Sequence, residues 1–105
     1  MFSFSFIDRP EVCRRGDNSL SDQLRKEAKG TRPEAFKAGR SCKFVDYEID
    51  ACMAAELNGA SDDQLRALVL ALIGVRRFVS TKEPHEFRAI IADLVLKHSA
   101  PGVTI

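Results

Sequence analysis

The chain has 105 residues, of which 45% are hydrophobic, and it contains only four prolines and six glycines. This composition excludes a disordered or collagen-like chain and fits one domain, or a small domain with a helical extension. Sixteen basic and fifteen acidic residues give a net charge of +1, so the total charge does not indicate a class of partner.

The first 16 residues contain two short segments. Phe2, Phe4 and Phe6 alternate with serines, which predicts a short strand or an extended arm. The following segment, PEVCRRG, predicts a short helix with Pro10 in its first turn and Gly16 as its terminator.

The segment DNSLSDQLRKEAKG predicts a second helix that ends at Gly30, with Asp17, Asn18 or Ser19 as its N-cap. Leu20, Leu24 and Ala28 recur at the spacing of one helix face. The opposite face carries Gln23, Arg25, Lys26 and Lys29. Two short helices joined by a turn around Gly16 give the outline of a helix-turn-helix.

The segment AFKAGRSCKFV predicts two short strands around a Gly39-Arg40 turn. Lys37, Arg40, Ser41 and Lys43 are expected to face outward. This basic hairpin has two interpretations: it is a solvated connector, or it is a finger that touches a negatively charged partner.

Three helices are predicted after the hairpin. The first is capped by Asp46, has an apolar face of Ile49, Cys52, Met53 and Leu57, and ends at Asn58 and Gly59. The second, 61–77, starts with a Ser61–Gln64 capping box and is apolar nearly all round. The third covers 84–98. These two strongly apolar C-terminal helices are expected either to pack back on the front half or to mediate self-association.

The chain lacks the signals of several other protein classes. Cys13, Cys42 and Cys52 have no C-x-x-C spacing, and neither histidine stands at a zinc-ligand spacing, so we expect buried free thiols, no metal and no cofactor. A reducing cytoplasm suits this cysteine usage. The start MFSFSF has no basic region of a signal peptide, and no apolar run approaches the roughly 20 residues of a membrane span. No phosphate-binding loop or nucleophile motif occurs, so we expect neither an enzyme nor a small-molecule substrate.

The charge distribution favours a polyanionic partner. Ten basic and five acidic residues lie between Arg9 and Lys43, whereas nine acidic and six basic residues follow from Asp46 onward. In a helix-turn-helix the second helix enters the major groove. This predicts base contacts by Gln23 with adenine and by Arg25 with guanine, helped by Ser19 and Ser21 near the helix start. The predicted phosphate contacts are Arg14, Arg15, Lys26 and Lys29. The alternative is that these side chains are the solvated face of a surface helix.

Residues 6–57 resemble the AlpA-type phage regulators and excisionases, small winged helix-turn-helix proteins related to the MerR fold. IDRPEVCRRG is similar to the opening L-x-P-E-V helix of that family. GTRPEAFKAGRSCKF is similar to the segment G-x-x-P-x-P-V-K-L-G-x-R-x-x-x-W, and VDYEIDACMAAEL is similar to the helix x-E-S-E-V-D-A-W-I that follows the wing. Cys52 stands where the family usually has Trp, and residues 60–105 have no counterpart in its short members.

With the C-terminal helical pair that apolar periodicity predicts in 60–105, the fold is expected to be mainly α with a small β wing. The resemblance implies a winged helix-turn-helix in 1–59. It implies a sequence-specific, double-stranded-DNA-binding regulator or excisionase of phage or mobile-element type. FKAGRSCKF then becomes the wing, with Arg40 at the minor groove and Lys37 and Lys43 on the flanking backbone. A homodimer through the C-terminal helices is expected to present two DNA-binding units to a palindromic site. The alternative function is a protein-protein interaction module, an adaptor or antitoxin-like protein that does not bind DNA.

Overall fold

The computed structural model describes residues 2–99. Over that range the chain is mainly helical with a small antiparallel sheet, which confirms this part of the predicted fold class. The strands are β1 Phe6–Asp8, β2 Phe36–Ala38 and β3 Ser41–Val45. The helices are α1 Arg9–Gly16, α2 Leu20–Lys29, α3 Asp46–Leu57, α4 Asp62–Gly74 and α5 Pro84–Lys97, with a 3-10 helix at Arg76–Val79 between α4 and α5.

The sheet has the order β1-β3-β2, so β3 is its central strand. The predicted hairpin is present: Phe36 pairs with Lys43 and Lys37 pairs with Cys42 across it. Its turn contains Gly39 at φ 63°, a left-handed conformation that glycine adopts without steric cost. The strand β1 pairs with the other edge of β3 and connects directly to α1.

The aromatic N-terminal segment is an arm rather than a strand. The strand begins only at Phe6, whereas Phe2 is buried among Tyr47, Val79 and Phe87. The ring centroid of Phe2 lies 5.4 Å from that of Tyr47 and 4.8 Å from that of Phe87. Edge-to-face and tilted ring packing of this kind buries a large apolar area, so the arm connects the start of the chain to α3 and α5.

The end of α1 differs from the prediction that Gly16 terminates it. Gly16 is the last residue of the helix, and the left-handed residue that follows is Asp17, at φ 52°. A Cβ at position 16 would stand 2.7 Å from the side-chain nitrogen of Asn18. That nitrogen is the far end of a flexible side chain that can move aside, so neither close approach nor backbone conformation requires glycine here.

The predicted caps are confirmed at two helices. The Asp22 amide donates to Ser19 Oγ at 3.1 Å, so Ser19 is the N-cap of α2. The Ser61–Gln64 capping box opens α4. At α3 the prediction was wrong, because the helix begins at Asp46 and its N-cap is Val45.

Most of the predicted apolar face of α3 is buried, with Ile49 and Cys52 fully buried and Met53 partly so. Leu57 is exposed, whereas Glu48 is fully buried together with Ile49 and Cys52. A buried carboxylate needs a partner of opposite charge, and the residue that supplies it comes from the segment after α4.

Both C-terminal helices pack on α3, the first of the two uses expected for them. One apolar cluster joins α3 to α4 and comprises Ala51, Cys52, Ala55, Leu65, Leu68, Val69 and Leu72. Ile91, Leu94 and Val95 of α5 pack against the same cluster. On the other side of α3, Ile49 packs with Val12 and Phe44. The helix α3 is thus shared by the front and back halves of the core.

The partner of the buried Glu48 carboxylate is Arg76, whose side chain is partly exposed. Arg76 Nε and Nη2 donate to the two Glu48 carboxylate oxygens at 2.6 and 2.8 Å. These hydrogen bonds raise the pKa of Arg76. The guanidinium carbon also lies 4.6 Å from the centroid of the Phe36 ring in β2. One side chain of the 3-10 helix therefore contacts both α3 and the hairpin.

Among residues 2–99, the longest helix, α5, has 14 residues, and none of the helices is long and apolar enough to cross a membrane. The three cysteines are free, but only Cys52 is buried; Cys13 and Cys42 are partly exposed.

We expect Arg76→Ala to lower the free energy of unfolding by about 3–5 kcal/mol, because it leaves the Glu48 carboxylate buried without a partner. Urea unfolding followed by circular dichroism measures this. Arg77→Ala is the matched control: the exposed Arg77 only covers the ring of Phe78, so its removal should cost less than about 1 kcal/mol. Equal losses in both variants would contradict the structural role of the pair.

Burial also protects one of the three thiols. Desolvation raises the pKa of Cys52 to about 12, although the nearby Arg32 opposes the shift. Because the thiolate is the reactive form, iodoacetamide at mildly alkaline pH should alkylate Cys13 and Cys42 and spare Cys52 until urea is added. Peptide mass spectrometry distinguishes the three sites, and early labelling of Cys52 would show that the α3–α4 cluster opens.

Candidate nucleic-acid interface

The face of α2 that turns inward is polar. Gln23 is fully buried, and its Nε2 donates to Glu27 Oε2 at 3.0 Å. The Glu27 carboxylate also accepts two hydrogen bonds from Arg9, at 3.0 and 2.8 Å, which raise the pKa of Arg9. An ion pair and a buried amide therefore join α2 to the start of α1.

This packing corrects two predictions for α2. Gln23 cannot contact a base, because no part of its side chain reaches the surface. Leu20 and Leu24 were expected on the apolar, inward face, yet they are 57% and 45% exposed, and Ala28 is exposed as well. The helix is rotated from the predicted orientation because Gln23 and Glu27 occupy its inner face and satisfy each other and Arg9.

The outward face begins with the first turn of α2. Ser19, Ser21 and Arg25 are exposed, as predicted for residues that reach a partner. Asp22 lies in the same turn, where hydrogen bonding by Ser19 and then Arg25 lowers the pKa of its carboxyl. The Arg25 Nη1 lies 3.0 Å from Asp22 Oδ1. Arg25, the residue predicted to contact guanine, is thus accessible, but in the free protein its guanidinium forms an ion pair with Asp22.

The cations of α1 are also paired. Arg14 is exposed and bonds Glu11, and Arg15 bridges Glu11 and Asp50 of α3, with both Asp50 oxygens at 3.0 Å. Arg14 first and then Arg15 lower the pKa of the Glu11 carboxyl to about 2. Both arginines lie on the surface predicted for phosphate contacts, although each already has a carboxylate partner.

The C-terminal half of α2 contacts the back half of the protein. Lys26 Nζ lies 3.5 Å from Glu56 Oε2, and Lys29 Nζ lies 3.6 Å from Asp62 Oδ2. The buried Arg32 shares Glu56, at 2.7 Å. Lys26 and Lys29 therefore bridge α2 to α3 and α4, and Lys26 is only partly accessible.

The positive charges of the β2–β3 hairpin differ from those of α1 and α2 in their pairing. Within residues 2–99, none of its three cations, Lys37, Arg40 and Lys43, has a carboxylate within ion-pair distance. The other seven basic residues between positions 9 and 32 are all paired. Lys37 and Arg40 are exposed, and Lys43 is partly so. The uncompensated positive charge of the front half is concentrated on this one element.

A groove of about 620 Å³ lies between the end of α2, Phe36 of β2 and α4. Its apolar lining includes Leu70 and Ile73, both exposed on the outer face of α4. Arg66 reaches across one end and donates from Nε to the Lys29 carbonyl oxygen at 2.9 Å. Nowhere in residues 2–99 do three metal-ligating side chains gather.

Sequence reasoning missed the side chains that orient the candidate interface. Gln23 was placed on the outer face of α2, Glu27 was given no role, and Glu48 and Arg76 were not recognised as a pair. The four-residue spacing of Gln23 and Glu27 was visible in the sequence. Their approach to Arg9 was not, because it depends on how α1 crosses α2.

Comparisons of the chain with protein-family models, with curated proteins and with solved structures found no match.

We expect Gln23→Ala to lower the free energy of unfolding by roughly 1–3 kcal/mol, because it removes a buried hydrogen bond to Glu27 and leaves a void. Gln23→Met keeps the volume and also removes the side-chain oxygen, Oε1, which has no hydrogen-bond partner within residues 2–99, so it should recover most of the loss. Ser21→Ala, at an exposed position, should stay within about 0.5 kcal/mol of the wild type. Urea unfolding measures all three, and a neutral Gln23→Ala would show that Gln23 is not a core residue.

Proposed function

We propose that this chain is a sequence-specific, double-stranded-DNA-binding protein of the winged helix-turn-helix type. In this proposal α1 and α2 form the helix-turn-helix, the β2–β3 hairpin is the wing, and α2 lies in the major groove while the wing reaches the minor groove. The resemblance to AlpA-type regulators and excisionases gives the same expectation. The protein acts by binding, in the cytoplasm, as a regulator of transcription or as a factor that shapes DNA at a recombination site.

The arrangement of α1 and α2 supports this proposal. Only residues 17–19 separate the two helices, a turn of the length found in helix-turn-helix units. The N-terminus of α2 is polar and accessible, with exposed Ser19 and Ser21. Helix N-termini attract anions because their free amide groups and the helix dipole are positive, so this end suits contact with DNA.

The observation that carries the proposal is the unpaired charge of the hairpin. Within the described range 2–99, Lys37, Arg40 and Lys43 have no carboxylate to give up on meeting a phosphate. In contrast, Arg14, Arg15 and Arg25 must exchange one partner for another. Exposed ion pairs contribute only about 0–1 kcal/mol, so that exchange costs little, but the hairpin cations bind without it. Arg40 stands in the turn itself, where a narrow minor groove would attract it.

The site residues of the proposal follow from this geometry. Arg25 and Ser21 make the base contacts, and Gln23 is no longer among them because it is buried. Arg14, Arg15, Ser19 and Lys29 are placed for phosphate, with Lys26 partly occupied by Glu56. Lys37, Arg40 and Lys43 form the wing contacts.

A protein-interaction role is the second candidate, and one observation favours it. Leu70 is 71% exposed on the outer face of α4, and Ile73 lies beside it along the groove. An apolar outer face on an already packed helix is available to a partner helix or to a second copy of this chain. A two-fold dimer formed there would carry two α2 helices to the half-sites of a palindrome.

The experiment that tests DNA binding is fluorescence anisotropy of a labelled mixed-sequence duplex across about 50–200 mM salt. We expect roughly micromolar or tighter binding at low salt, with log K falling linearly against log salt concentration. Arg40→Ala should weaken binding and reduce the magnitude of the slope by about 0.9, because one positive charge fewer then displaces counterions from the DNA. Lys97→Ala removes one positive charge from α5, which packs on α3 and not on the hairpin, and should leave the slope unchanged.

Two outcomes would contradict the proposal. Absence of binding at low salt would exclude DNA as the partner and leave the protein-interaction role. An equal loss of slope in Arg40→Ala and Lys97→Ala would show that only the total charge matters and that the hairpin is a solvated connector.

A further inference from the structure

The helix α2 combines two unfavourable features. It buries Gln23 completely, and it leaves Leu20 and Leu24 about half exposed. A buried polar side chain and exposed large apolar side chains are each informative departures from the usual distribution. Here both occur within five consecutive residues, so the apolar side chains of this helix are directed to the surface while its amide is directed to the core.

The exposed leucines share their face with polar groups. Leu24 follows Ser21 by three positions and precedes Ala28 by four, the spacings that bring side chains together on a helix surface. Ser21, Arg25 and Ala28 are exposed as well. The outward surface of α2 is thus a mixture of hydroxyl, guanidinium and branched apolar groups.

We infer that Leu20 and Leu24 read the C5-methyl groups of thymine in the major groove. This inference rests on the proposed function and adds a base preference to it. The thymine methyl is the one apolar group that a base pair presents in the major groove, and apolar side chains contact it. Ser21 and Arg25, on the same face, supply the hydrogen bonds to neighbouring bases or phosphates.

The dimensions of the patch favour DNA over a protein as its occupant. The ten residues of α2 span about 15 Å, and the major groove, about 12 Å wide, admits a helix of this kind. A stable protein interface needs about 800 Å² on each partner, far more than two half-exposed leucines and an alanine offer. The positive N-terminus of α2 and the unpaired cations of the hairpin further match a polyanion.

The test removes the methyl group and nothing else from the base. Unlabelled duplexes of equal length, one of alternating dA and dT and one of alternating dA and dU, compete against a labelled mixed-sequence duplex at fixed salt with the full chain. Burying one methyl group changes affinity by a factor of about four, so the wild type should prefer the thymine duplex at least fourfold. A second pair of duplexes, alternating dG and dC with and without 5-methylcytosine, should show the same preference for the methyl group.

Leu24→Ala and Leu20→Ala should each bring the thymine-to-uracil ratio closer to one while still binding DNA. Leu96→Ala is the matched control, since it removes an exposed leucine from α5, and it should keep the wild-type ratio. Circular dichroism verifies that each variant is folded.

The outcomes separate this inference from the proposed function. Equal binding of the thymine and uracil duplexes overturns methyl readout but leaves DNA binding in place. A thymine preference that persists in both Leu24→Ala and Leu20→Ala also overturns it, because the preference then comes from DNA shape. Binding to no duplex overturns the proposed function together with the inference.

Discussion

The junction between α3, the segment after α4 and the hairpin depends on one ion pair, the buried Glu48 with the partly exposed Arg76. Glu48 lies in the first turn of α3 with no exposure to water, so its charge would be costly without the two hydrogen bonds from Arg76. Arg76 comes from the segment after α4 and stacks on Phe36 of the hairpin. This contact adds to the direct connection of β3 to α3 and joins the back half of the chain to the hairpin. The C-terminal helices are therefore part of the support of the candidate interface and not an appendage to it.

Charge compensation divides the front half into two kinds of surface. On α1 and α2, each basic side chain has an acidic partner, and several of these pairs connect different elements, as Arg9 with Glu27 and Arg15 with Asp50 do. These cations contribute to packing and are available to a ligand only by exchange. The cations of the hairpin form no such ion pairs within residues 2–99. Net charge alone could not reveal this division, because it counts a paired and an unpaired arginine equally.

The sequence predicts the elements of this fold well and their orientation poorly. Local signals depend on only a few neighbouring residues: these are capping residues, glycines at positive φ and the hairpin turn. The roles of Ser19, Gly30 and the Ser61–Gln64 box could therefore be predicted from the sequence. Which face of a helix is buried depends on distant partners. Periodicity placed Leu20 and Leu24 inside and Gln23 outside, and it missed Glu48, because the arginines that neutralise the inward acids lie 18 and 28 positions away. The sequence thus predicted which helices and strands form the candidate site, whereas the burial and partners of its individual side chains were visible only in the structure.

The position of β2 in the sheet has a consequence for solubility. β2 is an edge strand of three residues, and its outer side has no neighbouring strand within residues 2–99. Such edges are templates for pairing with another chain, and lysine on a short edge strand is a common protection against it. Lys37 occupies that place here. The charge that we assign to ligand contact also keeps copies of the chain apart, so a natural variant that lost it would become prone to aggregation as well as weaker in binding.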